Sequence, residues 1–498
     1  MNGSNFGIFI AFFLYLAAML GIGVYFLRRS KNLSDYILGG RGFGKWVTAL
    51  SAQAADMSGW LLMGLPGLAY LSGFGEAFCV AAGLTAGTYL NWRFVAKRLR
   101  YFTQAANDSI TIADYFENRF EDKTHSLRVI AALFNMVFFT MYTASGFIAS
   151  GKLFNSVFGL PYHWAILIGG GVLVAYTFMG GFFAVNWTDF IQGCIMLTAA
   201  IAVPLVAVIH IGGFGDVCTT LAAKADLSFS LFTDIAGKPL GVIAIVSSVA
   251  WGLGYFGMPH ILVRFMAIQK PEELKDSRRI AMIWLFISLG SALMIGLVGS
   301  AFTIDAPLHG SASETIFIVL SRGLFNSFLA GVMLSAILAA IMSTAASQLL
   351  VASSGISEDF YKAIIRKKAS PKETLWVGRF AVLAISAVAF IFSLNPDSSV
   401  FRVVSFAWAG LGATFGPVVL LSLFWKRMTA WGALAGLVTG GFTVIIWKQL
   451  ASFCGIFSLY EIVPGFAISV LCIVVVSLLT KKPSDATLKK FENIDGLK

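Results

Sequence analysis

Thirteen times between Phe6 and Thr480 the sequence runs apolar for about twenty residues, and no hydrophilic block between those runs is long enough to fold by itself. A helix rising about 1.5 Å per residue needs about twenty apolar residues to cross a hydrocarbon core of roughly 30 Å. The runs lie at about 6–27, 47–72, 76–92, 128–151, 163–184, 188–210, 240–262, 280–303, 325–354, 376–394, 401–425, 429–449 and 459–480. Lipid offers no partner to backbone N–H and C=O groups, so runs of this length read as helices, which satisfy those groups internally. The expectation is an all-α integral membrane protein of about thirteen transmembrane helices, folded as a single transmembrane domain over residues 1–498. Charged residues make up only 12% of the chain, against about 25% in a soluble domain.

Charge placement tests the count, because Lys and Arg collect in cytoplasmic loops. Of the 36 basic residues, 30 fall after odd-numbered runs and six after even-numbered ones, Lys152, Lys224, Lys238, Arg322, Arg402 and Lys448. A miscounted run in the middle would scramble that separation. The N-terminus is therefore expected outside and the C-terminus in the cytoplasm. The same asymmetry accounts for the net charge of +11: basic residues scattered over short loops without interleaved aromatics signal topology and contact with anionic membrane lipid, not nucleic acid. The first run has no basic segment before it and no small-residue cleavage site after it, and so reads as a retained span. Cys79, Cys194, Cys218, Cys454 and Cys472 show no CxxC spacing, and they read as small packing residues.

Two runs are poor helix material. Ser51–Gly67 (SAQAADMSGWLLMGLPG) sets Asp56, Ser58 and Gly59 in the middle of the second run, and Trp251–His260 (WGLGYFGMPH) packs three glycines and a proline into the seventh. Glycine costs about 1 kcal/mol against alanine in a helix interior and proline about 3 kcal/mol. Backbone freed at such breaks must find protein, water or a bound ion, which makes both clusters candidate ligand sites. Runs two and seven are five spans apart and so cross in opposite directions. By analogy with secondary transporters, that suggests two five-helix units of inverted topology.

Asp56 sits near the centre of an apolar span, where an ionisable group costs roughly 2.5–3.5 kcal/mol. It caps the following half-helix, or serves a cation or proton, or does both. In the ninth run Ala340, Ser343 and Thr344 fall at i, i+3 and i+4, on one helical face. Two hydroxyls and a carbonyl suit a small hard cation, and small hydroxyl residues also suit helix packing. Tyr142, Trp251 and Tyr255 could wall a solute pocket or pack as ordinary aromatics. His260 follows the break in run seven. There is no nucleophile motif, no GxxxxGK[ST] loop and no His pair with metal spacing. An enzyme and an ATP-driven pump are thereby disfavoured, and neither a cofactor nor an obligatory protein partner is indicated.

Six segments together closely resemble the sodium:solute symporter family, in particular its proline-transporting branch: Asp35–Gly44 (DYILGGRGFG), Ala49–Gly67, Tyr176–Gln192 (YTFMGGFFAVNWTDFIQ), Trp251–Ile268, Leu334–Val351 (LSAILAAIMSTAASQLLV) and Phe406–Leu420. The resemblance implies a sodium-coupled secondary transporter importing L-proline by alternating access across a bacterial inner membrane. It also implies a leucine-transporter-type 5+5 inverted-repeat core, with a first repeat at about 47–210 and a second at about 240–425. Span 1 would be peripheral, spans 12 and 13 would follow at about 429–480, and residues 481–498 would form a cytoplasmic tail. By similarity, sodium would meet the carbonyls of Ala54, Met57 and Ala340 and the hydroxyls of Ser343 and Thr344, with Asp56 near the ion or along its path. Ser58, Gly59, Tyr142, Trp251, Tyr255 and Pro259 match solute-pocket positions, and Arg41 and Asp189 match positions tied to inward gating or sodium coupling. One departure stands out: Met258 occupies the place of a usual glutamine in GYFGQPH, exchanging an amide for a flexible thioether. That exchange bears on affinity and solute range, so the alternative is another amino acid, a carboxylate or a sugar. A transporter-derived sensor normally carries an appended signalling domain, whereas about eighteen residues follow Thr480 here.

Overall fold

The structure, a computed structural model, describes residues 3–27, 38–179, 181–223, 231, 233–234, 237–453 and 455–495. Of the basic residues counted above, Arg28, Arg29, Lys31, Lys224 and Lys498 lie outside the described residues, as do Cys454, the Asp35–Ile37 end of the first motif, Gly180 within Tyr176–Gln192 and residues 496–498 of the tail. The described residues are helical but for loops and two isolated bridges, Phe43 with Ile268 and Thr233 with Pro239. The first half contains α1 (Gly3–Leu27), α2 (Lys45–Asp56), α3 (Leu65–Ser72), α4 (Phe74–Leu90), α5 (Ala96–Ala105), α6 (Ile112–Phe120), α7 (Ser126–Phe158), α8 (Tyr162–Met179) and α9 (Phe182–Ile211). There follow α10 (Phe214–Ala223), α11 (Val242–Val249), α12 (Pro259–Ala267), α13 (Leu274–Phe302), α14 (Ile316–Leu324) and α15 (Ser327–Ser354). The chain closes with α16 (Pro371–Phe392), α17 (Val400–Phe424), α18 (Ala430–Leu450), α19 (Ile462–Leu479) and α20 (Asp485–Asp495).

Each expected run is occupied by a helix or a broken helix, but the pieces differ in length. Nine of the described helices are long and apolar enough to cross a bilayer, ten if the bent pair over Val242–Gly257 and Pro259–Ala267 is one span. The runs at 47–72 and 163–184 yield shorter apolar helices, because the first is interrupted and the second ends at Met179, whereas the helix over 76–92 continues through a π-helical stretch at Asn91–Val95 into the basic α5.

The packing has an internal symmetry. α2 packs on α9 as the 3-10 segment Ala250–Gly257 packs on α17, and α7 packs on α8 as α15 packs on α16. The α9–α15 contact is matched by α17–α7, α8–α15 by α16–α7, and the contact of α4 with the second break by that of α13 with α2 and α3. Some contacts have no mate of similar extent, that of α9 with α13 among them. Two copies of one five-helix plan produce this pairing, and an odd number of spans per copy makes them cross in opposite senses.

The bundle is apolar outside and holds buried charges within a largely apolar core. Val242 is 76% exposed, Phe286 71% and Leu479 81%, whereas Asp56, Asp189, Arg264 and His260 are buried, as befits a protein whose solvent is hydrocarbon. Several charges read as loop residues are interior, Arg264 and Lys152 among them. Arg264 lies in α12, 1% exposed, and Lys152 lies in α7, which continues past its apolar run and pairs Lys152 Nζ with Glu314 at 2.6 Å. Basic loop residues gather at one end, where Arg98 grips the Leu423 carbonyl and Lys45 meets Asp276. At that end the segment read as a polar tail forms α20, whose Phe491 is buried against Phe102 between Arg98 and Arg119.

Candidate functional site

Both suspected breaks are real. α2 ends at Asp56; Met57 leaves the helix (φ −83°, ψ 75°), and the chain restarts through a π-turn at Trp60–Gly64 that leads into α3. In the other break the 3-10 segment Ala250–Gly257 runs into Met258, which is extended (φ −88°, ψ 99°), before α12 begins at Pro259. Proline explains this geometry: it pushes the preceding residue out of the helical region and lacks the N–H that a first helical turn leaves unused. Backbone freed there is recaptured, with Trp408 Nε1 donating to the Trp251 carbonyl at 2.8 Å and Asn91 Nδ2 to the Tyr255 carbonyl at 2.9 Å. Gly254 makes the first of these contacts possible, because a Cβ there would overlap Trp408 Nε1.

The first break and the middle of α15 meet in a cluster of oxygens. Ser343 Oγ donates to the Ala54 carbonyl at 2.7 Å and lies 3.2 Å from the Ala340 carbonyl, and Thr344 Oγ1 donates to Ala54 at 3.3 Å. Two hydroxyls and two carbonyls thus converge from helices far apart in sequence, a hard-oxygen set of the kind a small cation takes. Met57 caps α2 one turn beyond Ala54. The carboxylate of Asp56 is held elsewhere: Tyr255 donates to Asp56 Oδ2 at 2.6 Å, while Asp56 Oδ1 has no partner. Asp56 therefore links the two breaks directly.

Around this link the aromatics close in. The Trp251 ring lies 6.2 Å from Trp60, 5.0 Å from Phe401, 6.3 Å from Trp408 and 5.5 Å from Tyr460, and Tyr255 sits edge-on to Trp408 at 5.1 Å. The Tyr142 hydroxyl lies beside Ser58 without a well-formed hydrogen bond. Gly59 packs between α7 and α15, its missing Cβ facing Ala149 and Ile341. The structure thus brings Asp56, Ser58, Tyr142, Trp251 and Tyr255 together beside the oxygen cluster, and Pro259 opens the half-helix below them.

Toward the basic end, Asp189 belongs to a buried network centred on Arg264. Arg264 donates from Nε to Ser51 Oγ at 2.7 Å, from Nη1 to the His260 carbonyl, and from Nη2 to Asp189 at 2.7 Å and Ser347 Oγ at 2.6 Å. Ser51 also bridges Asn186 and Asp189 at 2.7 and 2.8 Å. Four elements, α2, α9, α12 and α15, are tied at one guanidinium. Arg41, with positive φ (53°), reaches the Met266 carbonyl at 2.6 Å, the Ser109 carbonyl at 3.2 Å and Asp108 at 2.9 Å. It thereby fastens the entry to α2 onto the end of α12. Burial lowers its pKa, and the Asp108 carboxylate opposes that.

Sequence reasoning missed Arg264, which lies two residues past the end of the seventh apolar run and there reads as a loop charge. Ser347 continues the Ser343–Thr344 face by one turn and was legible. Trp408 and Asn91 gave no sign, since their role is to satisfy carbonyls freed on another helix.

Two cavities flank the site. One of about 540 Å³ opens at the end away from the basic loops and is lined by Gly64, Gly67, Ser313, Glu314, Ser399 and Phe401. On the basic side there is a cleft of only about 20 Å³.

The sequence pattern of the sodium:solute symporter family matches residues 36–440. The chain is 49% identical over 491 residues to the sodium/proline symporter of Escherichia coli (strain K12), covering 98% of this chain and 96% of that one. It is 50% identical over 477 residues to the high-affinity proline transporter of Bacillus subtilis (strain 168), covering 95% and 98%. Its fold matches that of a Na+-coupled sialic acid symporter solved in a substrate-bound outward-open state, with a TM-score of 0.77 at 22% identity over 96% of this chain and 99% of that one. An all-α bundle with two opposed breaks, a shared fold and a full-length sequence match lead to one assignment: the chain belongs to the sodium:solute symporter family.

Proposed function

We propose that the chain imports L-proline together with sodium by alternating access across a bacterial inner membrane. The observation that carries this reading is the convergence of the Ala54 and Ala340 carbonyls with the Ser343 and Thr344 hydroxyls beside an aromatic-walled break. Relatives of about half-identical sequence named as proline transporters support the solute. Sodium joins the first break to α15, with Met57 completing the set and Asp56 acting near the ion or along its path. Ser58, Gly59, Tyr142, Trp251, Tyr255 and Pro259 line or shape the solute pocket. Arg41 and Asp189 hold the cytoplasmic side shut while the ion is in place. The architecture we adopt is one membrane domain of thirteen spans with repeats at about 47–210 and 240–425, the N-terminus outside and the tail in the cytoplasm.

One sodium entering down about 100 mV releases roughly 2.3 kcal/mol, enough for about fifty-fold accumulation of a net-neutral solute without a sodium concentration gradient. No further energy source is required. A second reading, the same transport with another small solute, is favoured by Met258, which is fully buried at the break. The deciding experiment is uptake of radiolabelled proline into sealed proteoliposomes under an inward sodium gradient, then with potassium in place of sodium. Sodium-dependent accumulation that collapses in Thr344→Ala supports both ligands. Absence of proline uptake in protein that still binds another solute with sodium keeps the symporter and discards proline, and Met258→Gln is then the first variant to assay.

A further inference from the structure

We propose that His260 and Asn135 line the route by which the solute leaves the central site toward the basic-loop end, and that Asp359, bound by Thr111 and Arg128, closes its mouth. The inference rests on the transport reading above and adds the exit path.

His260 is fully buried, and neither ring nitrogen makes a well-formed hydrogen bond, the Ala55 backbone lying near the ring as its one neighbouring acceptor. Asn135 is 4% exposed, and its Oδ1 is also without a partner. About nine in ten buried polar groups are paired, and leaving one unpaired costs about 1–3 kcal/mol. A group that bears such a cost in one conformation is explained if it has work in another. Both residues are so arranged that they follow on from the solute pocket. On α7, Asn135, Phe139 and Tyr142 fall at i, i+4 and i+7, one face of the helix. The His260 ring stands edge-on to Phe139 at 5.5 Å and to Tyr142 at 6.4 Å. The row therefore descends from a pocket aromatic, past His260, to Asn135.

At Asn135 the row enters the cleft of about 20 Å³, which Pro259, Val263, Ser354, Thr111 and Asp359 also line. That space holds about one water, so it is a collapsed passage and not a resting site for an imino acid. Its mouth is latched: Thr111 Oγ1 donates to Asp359 Oδ1 at 3.1 Å, and Arg128 Nε donates to the same oxygen at 2.8 Å. Thr111 caps α6, and Asp359 lies in the π-helical extension of α15. The latch thus ties the loop between the third and fourth spans to the end of the ninth. The unpaired atoms suit the cargo. A neutral imidazole offers one donor and one acceptor and the Asn135 carbonyl oxygen another acceptor. Together they can receive both charged ends of a zwitterionic imino acid, one for a carboxylate and two for the NH2+ protons.

The test uses single cysteines, Asn135→Cys and Ser354→Cys, in full-length protein whose five native cysteines are replaced, labelled by a membrane-impermeant thiol reagent in inside-out and right-side-out vesicles. Labelling is expected only from the cytoplasmic face, at least fivefold faster without sodium than with sodium and proline, and at least fivefold faster again with Asp359→Asn. His260→Ala is expected to keep sodium-dependent proline binding within threefold while cutting the maximal uptake rate tenfold or more. Labelling from the opposite face, or from neither face in protein that still transports, overturns the route. Unchanged uptake in His260→Ala overturns its role, and so does loss of binding together with uptake, which would put His260 in the site itself. A parent protein that carries some other solute refutes the proline reading, while the labelling still decides the path.

Discussion

The Arg264–Asp189 pair offers a measurable consequence. Arg264 is 1% and Asp189 0% exposed, and they meet at 2.7 Å within a set of donors and acceptors drawn from four helical elements. Arg264→Met keeps the aliphatic stem but removes the guanidinium that stands over Phe182 and leaves a carboxylate with no cation beside it. Breaking a buried pair from one side costs about 3–5 kcal/mol. At about 2.1 cal/mol/K per residue, a chain of 498 residues has an unfolding entropy of about 1 kcal/mol/K, so Arg264→Met should lower the melting temperature by about 3–5 °C. Asp189→Asn alone should fall by a similar amount, because it strands the guanidinium. The double variant removes both charges and should recover at least half of the larger loss, since replacing a whole buried pair is often close to neutral. The assay is thermal unfolding of the purified protein in detergent at fixed sodium, because bound ion would itself raise stability. Singles that shift the midpoint by less than about 1 °C, or a double variant whose loss equals the sum of the singles, would refute the reasoning.

Two further outcomes follow from the same geometry. Ser343→Ala and Thr344→Ala each remove a hydroxyl from the oxygen cluster; at about 1.5–3 kcal/mol per charge-assisted contact, each should raise the sodium concentration for half-maximal uptake by about 10- to 150-fold, and an unchanged sodium curve would exclude the cluster as the ion site. Trp408→Phe keeps the ring near Trp251 but strands the Trp251 carbonyl, costing about 1–3 kcal/mol and weakening proline binding, whereas Gly254→Ala should be worse, because its Cβ has no room beside the indole; equal effects in a binding assay would count against this account.

How much was legible depended on whether the signal was local. The membrane class, the helices and the two breaks are written in runs of neighbouring residues, because a bilayer imposes its thickness on each segment separately and glycine and proline act on their own backbone. Asp56, Ser343 and Thr344 could be singled out because polar groups in apolar runs are costly wherever they are. Their partners could not be read in the same way. That Asp56 pairs with Tyr255 while the two hydroxyls reach Ala54 depends on how separate helices lie against one another, and no spacing along one helix encodes that. Arg264 shows the divide most plainly. By sequence it was one more basic residue near a cytoplasmic loop; its burial against Asp189, Ser51 and Ser347 arises only when four elements converge, because a charge is tolerated inside a bundle only where its partners are assembled around it. The sequence by itself determined which segments cross the membrane and where they break; the tertiary structure decided which polar groups meet there, since pairing in a low-dielectric interior is a property of the assembled bundle.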